Sequence, residues 1–183
     1  LATEILSELN DLTMLEKGTD SYRIMVEGLS KLIDKRNEID KIDLEMSKPN
    51  KDFGKGFYLS ENESQAMEMA NFKSALLGGE PIVTKFEFNE LMMQSSDLRI
   101  KIFTDYSEEW ADFVFANREG NDVELYDIVY GPIANDKVGL QIRKLKDGSI
   151  DKAEFLNRLK YMKGITYQYY FGTEKSIQYL EKL

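Results

Sequence analysis

The 183 residues include neither cysteine nor histidine. No disulfide and no Cys or His zinc site can staple such a chain, so its fold must rest on an apolar core of its own. The length allows one sizeable core and a small helical appendage, but not two full domains. A hydrophobic share of 42% and a charged share of 31% are those of an ordinary globular chain. The same two absences remove histidine-dependent serine hydrolases, cysteine proteases and zincins, and no metal site is expected. Thirty-three acidic residues against 24 basic ones leave a net charge of -9, which disfavours non-specific attachment to nucleic-acid phosphates while allowing a local basic patch. No apolar run reaches the roughly 18 to 20 residues that span a bilayer, and no secretory signal opens the chain; no membrane contact and a cytoplasmic location are expected.

Helical spacing dominates the first third. Ile5, Leu9, Leu12 and Leu15 form one apolar stripe, and Tyr22, Met25, Val26, Leu29, Leu32 and Ile33 form another. With Gly18 between them and Asp20 or Ser21 as a cap, residues 1–36 read as an amphipathic helical hairpin ahead of a domain at 37–183. Charge dominates Asp34 to Lys55, and Pro49 and Asn50 break regular structure before a short strand at Phe57-Tyr58-Leu59. Ser60 and Glu63 are spaced as a capping box for a helix with Ala66, Met67, Ala70 and Ala75 inside, stopped by Gly78 and Gly79.

Period-two alternation then takes over. Ile82, Thr84, Phe86 and Phe88 predict one strand, and Leu98, Ile100 and Ile102 another. Thr104 or Asp105 is expected to cap a helix carrying Trp110, Phe113 and Val114, and Tyr126 to Tyr130 reads as a buried strand ended by Gly131 and Pro132. Helices over Ala134 to Leu145 and about Asp151 to Met162, a strand over Thr166 to Phe171 and a helix from Thr173 complete the reading. The fold class is α+β, with helices flanking a mostly antiparallel sheet.

Two motifs fail on inspection. Gly148, Ile150 and Glu154 sit at EF-hand positions, but Arg143 and Leu145 stand where calcium needs oxygen, so Asp147 and Gly148 read as a turn. Gly54 and Gly56 start a G-x-G pattern that leads into a strand and lacks its third glycine, which excludes a dinucleotide fingerprint and a P-loop.

The run GKGFYL at residues 54 to 59, followed by a helix with Gln65, Ala66 and Ala70, is similar to the second motif of the ADP-ribosyltransferase superfamily. The wider pattern resembles a bacterial family of that superfamily with a DFGKGFYL motif. Its blocks here are SKPNKDFGKGFYLS, EEWADFVFANR, YDIVYGPIANDKV and TYQYYFGTEKSIQYL, in that order over most of residues 43 to 183. Four ordered blocks are more specific than any single one. The resemblance implies a split, mostly antiparallel sheet with flanking helices, and NAD as the substrate. It would set the dinucleotide against Gly54, Lys55, Gly56, Phe57 and Tyr58, with Tyr58 stacked on nicotinamide and the glycines admitting the backbone closely. Gln168 falls where many transferases keep a glutamate that bonds the nicotinamide ribose and stabilises positive charge at the anomeric carbon. An amide can bond the ribose but carries no full charge, which argues against chain elongation. The plain readings are that Phe57 and Tyr58 alternate between core and surface and that Gln168 is a polar strand residue. Arg118 reads first as a dipole partner at a helix end; Asp127 and the Gly131 to Asp136 turn match the family signature but also suit any tight strand-to-helix connection, and Asp136 reads as an N-terminal helix residue.

The family's first motif is a strand whose histidine holds the adenosine ribose, and this chain has no histidine. Leu32, Ile33, Asp34, Lys35 and Arg36 stand in its place, at spacing that continues the preceding helix. Either residues are wanting between Arg36 and Asn37 or the motif has been replaced, in which case Lys35 or Arg36 could meet the pyrophosphate. Two functions follow from the resemblance. One is NAD-dependent mono-ADP-ribosyl transfer to a protein or nucleic-acid acceptor, by a bacterial toxin or effector with a small antitoxin-like protein partner and a docking or self-inhibiting hairpin at 1–36. The other is a catalytically degenerate module of the same fold acting by protein-protein interaction.

Overall fold

The computed structural model describes residues 41–121, 125–135, 137–160 and 164–183. The hairpin expected at 1–36, Asp136 and the helix end expected at Met162 lie outside those residues. Residues 41–63 and 85–183 build one compact unit, and residues 64–84 belong to another.

The strands are β1 (Phe57–Ser60), β2 (Phe86–Phe88), β3 (Ile100–Ile102), β4 (Ile128–Pro132), β5 (Tyr167–Phe171) and β6 (Leu180–Lys182). The α-helices are α1 (Glu63–Leu77), α2 (Glu108–Glu119), α3 (Val138–Lys146), α4 (Lys152–Leu159) and α5 (Glu174–Ile177). One sheet has the order β1-β5-β4-β3; β2 and β6 form a separate antiparallel pair. β5 runs antiparallel to both its neighbours, whereas β3 and β4 are parallel. The fold is therefore α+β with a mixed sheet.

Two apolar cores follow from strand alternation. Val129 pairs with Tyr170 on one face, Ile128 pairs with Phe171 on the other, and all four are buried. The first face packs against Phe53, Phe103, Trp110, Val114, Val138 and Leu159, so α2, α3 and α4 cover it. The second gathers Leu98, Ile128 and Phe171, with Phe57, Phe88 and Ile177 around them. Trp110 is fully buried, and its indole N–H donates to the Pro132 carbonyl at 3.2 Å. That bond satisfies the one polar atom of the largest side chain in the core.

Several boundaries differ from the sequence expectation, each for a local reason. Helix α2 is capped by Ser107, whose hydroxyl accepts from the Trp110 N–H at 3.1 Å; the Asp105 carboxylate accepts from the adjacent Tyr106 N–H instead. Its other end closes on Gly120 in the left-handed region, with φ 71°. Helix α3 begins at Val138 and not Ala134, because the Asn135 N–H is drawn to the Leu159 carbonyl and the Asn135 side chain accepts from the Lys137 N–H. Ser60 ends β1 and accepts from the Asn62 N–H at 3.1 Å, a turn rather than a capping box. In α1 itself Ala66 and Ala70 are half-buried while Met67 and Ala75 are exposed, so the inner face is narrower than expected. Ile82 and Thr84 precede β2 and do not join it, β4 starts at Ile128 instead of Tyr126 and ends at Pro132, and β6 follows α5 where only helix was expected.

Asp127 joins three segments at the base of β4. Its carboxylate accepts from the Arg99 N–H and from the Thr173 hydroxyl, both at 2.7 Å, and its carbonyl accepts from the Gly172 N–H at 2.9 Å. Burial pushes this carboxyl up, but the hydrogen bonds and the nearby Arg99 guanidinium outweigh it and hold the group below its usual 3.8. A depressed folded pKa gives stability that is present above the usual value and lost as pH falls through the lower folded one. Below about pH 4 the wild type should therefore lose stability more steeply than Asp127→Asn. Equal slopes in urea unfolding across that range would refute the assignment. Trp110→Phe, which removes the donor to Pro132, should cost about 1–3 kcal/mol, and Trp110→Ala about 3–5 kcal/mol. Circular dichroism during urea unfolding reads both, and a smaller loss for Ala than for Phe would contradict this packing.

Candidate functional site

The segment Phe53 to Gly56 is tied to the strand that follows it. The Tyr58 hydroxyl donates to the Gly54 carbonyl at 2.8 Å and accepts from the Phe53 N–H at 3.0 Å. Its ring meets the edge of Tyr170 with centroids 5.2 Å apart and stacks on Phe53 at 6.3 Å. Burial pushes the Tyr58 phenol well above its usual 10, against the lowering effect of the Phe53 N–H. Tyr58 thus stays neutral, and it offers a ring surface and a loop tie but no acid or base near neutral pH.

The two motif glycines do different work. Gly56 is buried, and a Cβ there would stand 2.2 Å from Tyr170 Cε2 and 2.7 Å from the Phe171 carbonyl oxygen. Its bareness lets β1 lie against β5. Gly54 takes φ 103°, a region that L side chains rarely adopt, and a Cβ there would face Asn117 Oδ1 at 3.1 Å. Lys55 is exposed and ion-paired with Glu45 at 2.8 Å, while its carbonyl accepts from the Tyr170 hydroxyl at 3.0 Å. Phe57 points to the opposite face of the sheet, edge-on to Phe86 at 5.4 Å in the second core. Of the five residues grouped by sequence, Phe57 is therefore separated from Tyr58 by the sheet itself.

Gln168 shares the Tyr58 face. It pairs with Ser60 on one side and Gly131 on the other, and Tyr58 pairs with Tyr170 two residues along β5. Such diagonal neighbours on adjacent strands lie roughly 7–8 Å apart. Gln168 Nε2 is buried and has no hydrogen-bond partner among the described residues. Buried amide groups are nearly always bonded, so an unpartnered one calls for an explanation.

A pocket of about 290 Å³ opens beside the motif loop. Asn50, Gly54, Lys55, Asn117, Tyr170 and Gly172 are among its walls, and neither Tyr58 nor Gln168 lines it. Strand register sets Tyr58 beside Gln168, away from the walls of this pocket. Arg118 is held by Asp52, with Nε at 2.8 Å and Nη2 at 2.6 Å from one carboxylate oxygen, so it anchors the 49–53 loop to α2. Asp127 is engaged by Arg99 and Thr173 as described. Sequence reasoning missed the Asn117 and Asp52 contacts, which the polar residues at the end of a helix and before a glycine loop could have suggested.

The family described as Protein of unknown function (DUF3990) matches residues 35–182. The chain belongs to that family. No curated protein and no solved structure matches it. Within this DUF3990 domain the matched span takes in the motif loop, both strands that carry Tyr58 and Gln168, and the Asp127 junction. Among the described residues no group of His, Cys, Asp and Glu could hold a metal ion, and no helix is long and apolar enough to cross a membrane.

If Gly56 serves the β1–β5 contact, Gly56→Ala should destabilise the DUF3990 domain by about 1–3 kcal/mol or more through overpacking. Gly139 lies in α3 with open space around its missing Cβ, so Gly139→Ala should be neutral or stabilising by up to about 1 kcal/mol. Paired urea midpoints check both, and two equal midpoints would remove the packing role from Gly56.

Proposed function

We propose that this domain transfers a single ADP-ribosyl group from NAD, with an ADP-ribosyltransferase-like site built on β1 and β5. The observation that carries the reading is the juxtaposition of Tyr58 and Gln168 on one sheet face, with the buried Gln168 amide lacking a partner. Four sequence blocks similar to that superfamily support it. The bond between nicotinamide and its ribose breaks with its electron pair leaving on nicotinamide. The anomeric carbon then bonds to a nucleophile of the acceptor, which gives up a proton. Tyr58 contributes a neutral ring against nicotinamide, and its hydroxyl fixes the loop at Phe53 and Gly54. Gln168 donates its free amide N–H to a ribose hydroxyl and so orients the sugar. Having no full charge, it stabilises the developing cation less than a carboxylate does, which suits one transfer and not chain growth. The acceptor is a protein or nucleic acid, and the setting is that of a bacterial toxin or effector with a small antitoxin-like partner.

A non-catalytic interaction module is the second reading. It is favoured by the missing histidine and by the Tyr58 hydroxyl being spent on its own loop.

NAD binding and nicotinamide release are to be measured on the wild type, Gln168→Ala and Tyr58→Ala, each checked for folding by circular dichroism. Wild-type release should fall about a hundredfold in Gln168→Ala and NAD affinity should weaken in Tyr58→Ala. A folded wild type that neither binds NAD nor releases nicotinamide overturns the transferase reading and leaves the interaction module.

A further inference from the structure

The sheet face opposite Tyr58 carries a row of tyrosines. Tyr130 on β4 and Tyr167 and Tyr169 on β5 share that face by strand alternation. The Tyr130 and Tyr167 rings stack at 11° with centroids 5.1 Å apart, and the Tyr169 ring lies 4.6 Å from that of Tyr130. All three remain half-exposed. Two exposed glutamates meet their hydroxyls: Tyr130 donates to Glu61 at 3.3 Å, and Tyr169 donates to Glu90 at 3.1 Å.

This arrangement concentrates negative charge without answering it. Glu61 comes from the turn after β1 and Glu90 from the single helical turn after β2, so the fold brings two carboxylates to one pair of rings. Burial and then Glu61, with Glu90 adding, push the Tyr130 phenol up to about 12, and burial followed by Glu90 and Glu61 raises Tyr169 as well. Glu45, Glu63, Glu109, Glu119 and Glu154 are each ion-paired to a lysine or arginine. Among the described residues no lysine or arginine pairs with Glu61 or Glu90.

We propose that the tyrosine row and its two carboxylates form a docking site for an arginine side chain on a basic segment of a partner protein. A guanidinium is planar, stacks on aromatic faces and forks its N–H groups toward carboxylates, whereas an ammonium offers no plane. The net charge of -9 steers a basic segment toward this surface and repels a polyanion such as nucleic acid. The surface lies across the sheet from Tyr58 and Gln168, so it stands apart from the reading of those residues.

The test titrates the full chain with the peptide acetyl-Gly-Arg-Gly-Arg-Gly-amide, followed by calorimetry and by the tyrosine ring signals in NMR. The same peptide with citrulline, and with lysine, in place of arginine gives the comparison. The arginine peptide should bind saturably, and citrulline should weaken it at least about tenfold. The double variant Glu61→Gln, Glu90→Gln should weaken it to a similar degree, both positions being exposed and unneeded for packing. Tyr167→Leu, which removes one ring of the stack, should weaken it about threefold or more. Absence of saturable binding, or binding unchanged in the glutamine variant, overturns the site; equal affinity for lysine overturns the guanidinium assignment. NAD binding should be unchanged in the glutamine variant, which separates this result from the transferase test.

Discussion

Tyr170 is the side chain on which the rest of this structure depends. It fills the space left bare by Gly56 and by Gly172, and its hydroxyl donates to the Lys55 carbonyl across 115 residues of chain. A buried phenol needs both apolar contact and a partner for its oxygen. Here the contact is Val129, Phe53 and Tyr58, and the partner is the backbone of the motif loop. The loop is therefore seated by the sheet, and Tyr58 then closes it through Phe53 and Gly54.

A second constraint follows from burying both faces of the sheet where Ile128 and Val129 pair with Phe171 and Tyr170. With helices over one face and the β2–β6 pair, Leu98 and Ile177 beside the other, a polar residue on either strand has few places to go. Asp127 resolves this by spending its carboxylate on Arg99 and Thr173. Gln168 does not resolve it within the described residues, and its buried amide nitrogen is left without a partner there. Tyr130, Tyr167 and Tyr169 resolve it by placing their rings over the outer part of the sheet and their hydroxyls at its rim.

Strand positions were legible where alternation was strong. The aromatic-rich run Thr166 to Phe171 reads as a strand, and Tyr167–Phe171 forms β5. Helix α2 was legible from Trp110, Phe113 and Val114, but its start was not, because Thr104, Asp105 and Ser107 are all good caps and only the approach to Trp110 selects one. The parallel pairing of β3 with β4 and the return of the chain as β6 could not be read from periodicity, since both are choices of partner made at long range.

The sequence by itself determined that the chain must live on an apolar core without disulfides or a Cys or His zinc site, that it would mix helices with aromatic strands, and that glycines 54 and 56 bracket a special loop. These follow from composition and local spacing, which act within a few residues. Tertiary structure alone decided that Gly56 makes room for Tyr170, that Phe57 faces away from Tyr58, and that Gln168 lies diagonally from Tyr58. It alone set Glu61 and Glu90 beside the same tyrosines. Strand register is the physical reason: a shift of one residue reverses every face, and only the packing of both cores together fixes which register is kept.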